Sequence, residues 1–249
     1  MTRLMPRDPR TVARDIPSIV DALFPQLTPG VVLHFNNTSR GVLLCDAVSE
    51  DLVAQSRLQH AMLFELAFAV GEQCLDGADD IDWDAALIVA GRRQRKHFDA
   101  RVPQALSEID KAVANHVGEN LWMMVEDVAA GRQVKFAPRI PGYQWISTGV
   151  GDLSCGSTLV EVKCAARRFG ASDYRQILIY WLLSYAASVE GRGEEWEVGV
   201  LLNPRRNEIV EVRFDELIAT VGAGRTKVDL LELFGWLVGD HAARTIERI

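Results

Sequence analysis

A chain of 249 residues that is 48% hydrophobic and 24% charged is long enough to bury a sizeable core without disulfide or metal staples. Its net charge of -7 argues against a free-standing DNA binder, which is usually basic, and leaves room for a partner that supplies part of any nucleic-acid grip. Cys45, Cys74, Cys155 and Cys164 lack zinc-ligand spacing. No leader-like apolar run opens the chain, and no apolar stretch approaches ~18 residues. Reduced thiols, a cytoplasmic location and no membrane span are therefore expected.

Residues 1–15 carry four Arg and two Asp with little periodicity, which predicts a loose N-terminal arm. Residues 16–104 read as mainly helical, with a short strand at 30–35, and residues 1–104 together form a region of open role. Apolar residues at helical spacing over 55–74 predict a helix, and the acidic stretch 77–84 a turn. The cluster Gly91-Arg92-Arg93-Gln94-Arg95-Lys96 is either a solvated helix end or a phosphate-contacting patch. From about residue 105 the pattern changes. A long helix is expected over 106–130, ending at Gly131. Strands follow at 134–140, where Pro138 demands an edge or a bend, at 146–153 and at 158–165. An apolar helix over 173–189, a hairpin of 198–202 with 208–214, and a terminal helix over 227–248 complete an α/β unit spanning 105–249.

The chemistry-bearing piece runs from Gly151 to Lys163. With Gly156-Ser157 as a two-residue turn, Gly at its first central position suits a hairpin. Counting outward pairs Cys155 with Thr158, Ser154 with Leu159, Leu153 with Val160 and Asp152 with Glu161. Opposed residues share a sheet face about 5 Å apart, and strand alternation puts Lys163 on that face too. Two carboxylates this close need a proton or a counter-charge. Lys163 is one counter-charge and a divalent metal is another, with hard oxygen ligands favouring magnesium or manganese over zinc.

Asp152, then Glu161-Val162-Lys163, then a helix carrying Gln176-Ile177-Leu178-Ile179-Tyr180 resembles the PD-(D/E)XK nuclease superfamily, and most of all its RecB-like branch with a QxxxY motif. The resemblance implies a restriction-endonuclease-like core and magnesium-dependent hydrolysis of DNA phosphodiesters, in phage defence or DNA repair. By matching motif, Asp152 and Glu161 would bind Mg2+ or Mn2+, Lys163 would be catalytic, and Gln176 and Tyr180 would support the site. The family's preceding-helix carboxylate falls on Glu119, because Val117-Gly118-Glu119-Asn120 resembles the Gly-Glu start of that helix; Glu126 ranks second. Gly151 stands where the motif's Pro would, and the short Asp-to-Glu interval requires a tight hairpin. Arg167, Arg168 and Arg205 flank the motif and are candidate phosphate contacts. No GxxxxGK[ST] loop is present, so a motor or DNA-targeting protein would be a partner. A homodimer is also implied, since two sites are needed to cut two strands. The alternative is a catalytically silent nuclease-fold subunit that binds nucleic acid or assembles with a partner. The residues alone leave DNA versus RNA, and ends versus internal sites, open.

Overall fold

The computed structural model describes residues 6–95 and 101–246; Lys96 of the basic cluster lies outside the described residues. The architecture is α/β, built on a mixed five-stranded sheet. Its strands are β1 (Val134–Phe136), β4 (Leu153–Cys155), β5 (Thr158–Val162), β6 (Val198–Asn203) and β7 (Glu208–Arg213), in the order β1-β4-β5-β6-β7. β5 and β6 are parallel and the other pairings antiparallel. A separate ribbon pairs β2 (Arg139–Ile140) with β3 (Gly149–Val150). The expected single strand over 134–140 is thus broken in two. Ala137 adopts a φ of 50° and Pro138 lacks an N–H, so the ladder cannot run through, and β1 is left at the sheet edge. The strand expected over 146–153 divides likewise, with Gly151 and Asp152 between its halves.

Ten helices surround the strands among the described residues. Strand alternation sends Leu159, Leu201, Val210 and Val212 to one face, where they pack with α8 (Ala171–Val189), α9 (Phe214–Val221) and α10 (Lys227–Ile246). The short helices α1 (Pro9–Asp15), α2 (Pro17–Leu23) and α3 (Pro29–Asn36) complete that layer through Val12, Leu23 and Phe35. Leu153, Val160, Val162, Val200 and Leu202 face the other way, toward α7 (Glu108–Ala129) and Phe68 of α5 (His60–Leu75). A third cluster joins α5, α6 (Trp83–Gln94) and α7, with Val53 of α4 (Glu50–Gln55) at its margin. Residues on both sides of position 105 contribute to all three clusters. The N-terminal region therefore shares the core of the sheet. Among the described residues no helix is long and apolar enough to cross a membrane.

Two expectations are corrected here. Residues 30–35 form helix, not strand: the Thr28 side chain caps α3, and Pro29 sits at its first turn, where its missing N–H costs nothing. Residues 9–15 are also helical, with Asp8 as N-cap and Val12 and Ala13 buried, so this part of the expected loose arm is docked; residues 1–5 of it lie outside the described residues.

Gly118 lies in the middle of α7, not at its start; that start is a capping box between Ser107 and Asp110. A Cβ at Gly118 would fall 2.6 Å from Val70 Cγ1 and 3.0 Å from the Ala67 carbonyl oxygen. Neither neighbour can yield easily, one being a stiff branched side chain and the other backbone. Gly118→Ala is expected to destabilise the protein by about 1–3 kcal/mol through overpacking, less the helix-propensity gain. Gly239→Ala in α10, with open space around it, should not. Urea midpoints of the two variants check this.

Candidate active site

The β4–β5 hairpin has the register counted from the sequence: Cys155 opposite Thr158, Ser154 opposite Leu159, Leu153 opposite Val160. Gly156 at the turn has a φ of 58°, a conformation glycine takes without strain. Asp152 lies one residue before β4. Its Oδ2 accepts a hydrogen bond from the Val162 backbone N–H (2.9 Å), which draws it across to the end of β5. Glu161 lies within β5, beside Leu201 of β6, and is fully buried.

The chain surrounds Glu161 unevenly. Its Oε1 accepts from Gln176 Nε2 (2.7 Å), Lys163 Nζ (2.8 Å) and Arg10 Nη2 (3.5 Å). Its Oε2 is buried with no hydrogen-bond partner. Lys163 Nζ also donates to Gln176 Oε1 (2.8 Å), and Gln176 Nε2 to the Tyr180 hydroxyl (3.0 Å). Gln176 and Tyr180 reach the site together because residues four apart share one face of α8. Four of the five residues singled out as catalytic from the sequence, Glu161, Lys163, Gln176 and Tyr180, are thus in one network, and Arg10 ties Asp152 to it. Burial pushes the Glu161 carboxyl up to about 7; Asp152 adds to the shift, and Lys163 and Arg10 oppose it. Burial likewise raises the Tyr180 phenol, so its hydroxyl stays neutral and accepts from Gln176 and Arg10.

Arg10 was missed by the sequence reading. From α1 its Nη2 donates to Asp152 Oδ1 (3.1 Å) and its Nε to Tyr180 Oη (3.4 Å). One nitrogen within 3.5 Å of both acidic side chains puts the two carboxylates on the same side of the sheet edge, as the hairpin count requires. Burial opposes the Arg10 charge, but Glu161 and Asp152 more than offset it and hold its pKa above the ordinary value.

A cavity of about 300 Å³ opens over Asp152, Glu161 and Lys163, with Arg167, Arg168 and His60 among its walls. It adjoins a groove of about 650 Å³ along α1 and α5; Arg10, Phe64 and Asp152 line both. Glu65 of α5 lines the groove. Burial raises its pKa, with Asp152 adding to the shift and Arg93 opposing it. No pattern in the sequence tells Glu65 from Glu72, the other acidic residue of its helix.

Three sequence-based assignments fall elsewhere. Glu119 is exposed, accepts a hydrogen bond from Asn115 (2.8 Å) and lines a different cavity with Cys74 and Trp122. α7 turns that face away from Asp152, because Leu121, Met124 and Val125 are the residues it lays on the sheet. Glu126 is exposed beside yet another cavity. The helix carboxylates that line the groove beside the site are Glu65 and Glu72 of α5. Arg205 is only 8% exposed and ion-paired with Glu50, which leaves no room for a phosphate contact. Arg168 is also committed, to Glu208, the Asn36 carbonyl and Ser39. Arg167, 58% exposed while paired with Asp173, has the freest access to solvent. In the basic cluster, Arg93 pairs with Glu72 and lies over the Phe68 ring, a structural use of its charge.

A hard divalent cation suits what Asp152 and Glu161 leave open. Asp152 Oδ1 has Arg10 as its one partner among the described residues, and Glu161 Oε2 has none. A buried carboxylate oxygen without a donor is costly unless an ion or water satisfies it. Among the described residues no group of three or more His, Cys, Asp or Glu side chains gathers to hold an ion. Two protein carboxylates with the other positions left to water and substrate oxygens is a magnesium-like arrangement. Compared with known proteins, the chain matches no family model and no curated sequence.

Proposed function

We propose that this protein is a magnesium- or manganese-dependent nuclease of the PD-(D/E)XK type, with a restriction-endonuclease-like core that hydrolyses DNA phosphodiesters. The observation that carries the reading is the cluster at the end of the hairpin, in which Glu161 and Lys163 are hydrogen-bonded with Gln176 and Tyr180 of α8 and Asp152 is tied to Glu161 through Arg10. Asp152 Oδ1 and Glu161 Oε2 are the oxygens that would hold the ion. When bound, it would polarise the phosphodiester and acidify a water.

The rest falls to the chain. Lys163 Nζ, on the wall of the cavity, orients the attacking water and stabilises charge on the phosphoryl oxygens. Gln176 fixes both Lys163 and Glu161, so the ammonium is held in place before substrate arrives. Arg167 at the rim positions the backbone of the nucleic acid.

One observation favours a second reading. Arg10 already neutralises the carboxylate pair, as a guanidinium replacing an ion would in a catalytically silent nucleic-acid-binding subunit. Incubating plasmid and linear DNA with Mg2+ or Mn2+, beside the Asp152→Ala variant, separates the two. Cleavage by the natural chain and its loss in the variant are expected; equal activity in both, or none under any condition, would sink the nuclease reading.

A further inference from the structure

We propose that Arg10 and a divalent ion compete for the carboxylate pair, so that Arg10 holds the site closed in the metal-free protein and must leave before the ion can bind. The inference rests on the metal-site reading above. Its starting point is how the oxygens are shared out. Asp152 Oδ2 is engaged by the Val162 N–H and Glu161 Oε1 by Lys163 and Gln176. Of the two remaining oxygens, Glu161 Oε2 has no partner and Asp152 Oδ1 is covered by Arg10 alone among the described residues. An ion that used both would stand against the guanidinium, and two cations in contact repel each other strongly where water is scarce.

The fold gives Arg10 a way out. Helix α1 itself is fixed: Pro9, Val12 and Ala13 are buried, and Asp8 caps it through the Arg10 backbone N–H. The side chain, however, is 48% exposed, and it borders both the cavity and the groove. Rotation about its own bonds carries the guanidinium from the carboxylates into the groove, toward Asp8 and Glu65 on its walls, with no movement of the helix. The apparent metal affinity is then the intrinsic affinity reduced by the fraction of molecules in which Arg10 is away.

Titrating Mn2+ into the metal-free chain by calorimetry, in mildly alkaline buffer, tests this without any activity readout. Arg10→Gln is expected to bind Mn2+ about tenfold or more tightly than the natural chain. Arg192→Gln, at an exposed arginine paired with Glu190, should bind like the natural chain, and Asp152→Asn should not bind. A natural chain that takes no Mn2+ beside an Arg10→Gln variant that does would support the competition in its strongest form. Equal affinity in the natural chain and Arg10→Gln overturns the competition and leaves the metal site standing, provided Asp152→Asn abolishes binding. No Mn2+ bound by either overturns both. Should Arg10→Gln not fold, judged by circular dichroism in EDTA, Arg10→Leu carries the test. It removes the guanidinium charge and keeps an apolar stem, so its Mn2+ affinity must rise; an unchanged value overturns the proposal.

Discussion

Replacing Lys163 by alanine is expected to lower the rate of DNA cleavage by about three orders of magnitude, the scale seen when one charged stabiliser is removed from a water-poor site. Two separate losses contribute. The ammonium no longer meets the phosphoryl oxygens or their water, which acts on the chemical step. It also no longer offsets the charge of the buried Glu161 at 2.8 Å, so that carboxyl, already at about 7 with Lys163 present, moves higher and surrenders its proton less readily. The second loss is recoverable and the first is not. Raising the pH should restore metal binding to Lys163→Ala and leave cleavage depressed. Mn2+ titrations and single-turnover rates at saturating Mn2+, each at neutral and alkaline pH, check the two parts in turn. Full activity in the variant at neutral pH would remove Lys163 from the chemistry.

Glu161→Gln should remove one contribution to the pH dependence of stability in the metal-free protein, the loss of stability on ionising a buried carboxyl. In the folded chain Glu161 keeps its proton up to about 7, whereas its ordinary value is 4.5. Between those values the folded state binds more protons than the unfolded one, so stability falls as pH rises. The contribution is full below the unfolded value and gone above the folded one, amounting to about 3 kcal/mol at most. Glutamine cannot ionise, and its variant escapes that decline. Urea unfolding in EDTA across the range from mildly acid to mildly alkaline should show the variant gaining on the natural chain. Magnesium should invert the comparison. It stabilises the natural chain by about 2.7 kcal/mol at a hundred times its dissociation constant, and does little for the variant. Parallel curves in EDTA would mean that Glu161 is already ionised at low pH.

The local parts of this site could be read from the sequence because they obey short-range rules. A two-residue turn at Gly156-Ser157 leaves one way to count the pairs, and the four-residue spacing of Gln176 and Tyr180 settles their shared helix face. Arg10 escaped because nothing local marks it. Its helix is seven residues long, and its carboxylate partner Asp152 lies 142 positions away. The run Val31-Val32 suggested a strand because β-branched residues favour one, yet Thr28 and Pro29 ahead of it were the stronger sign, a cap and a first turn. Glu119 attracted attention through the neighbouring Gly118, whose role is to admit Val70 and the backbone of α5. Arg205 is a candidate phosphate contact only by its place near other arginines in the sequence, whereas its burial depends on Glu50 from a distant helix. In each case the missing information was which distant element lies opposite, and a pattern within one segment does not carry that.

Arg10 also bears on the order in which the protein is made. Chains emerge from the ribosome N-terminal end first, so Arg10 is synthesised early and Asp152, Glu161 and Tyr180 follow far behind, Tyr180 by 170 positions. Through most of synthesis the arginine has none of these three partners. The hairpin and α8 can pair among themselves once they appear, but the sixth member lies 142 residues before Asp152 in the nascent chain. Assembly of the centre is thus a late, long-range closure, one of the slower kinds of folding event.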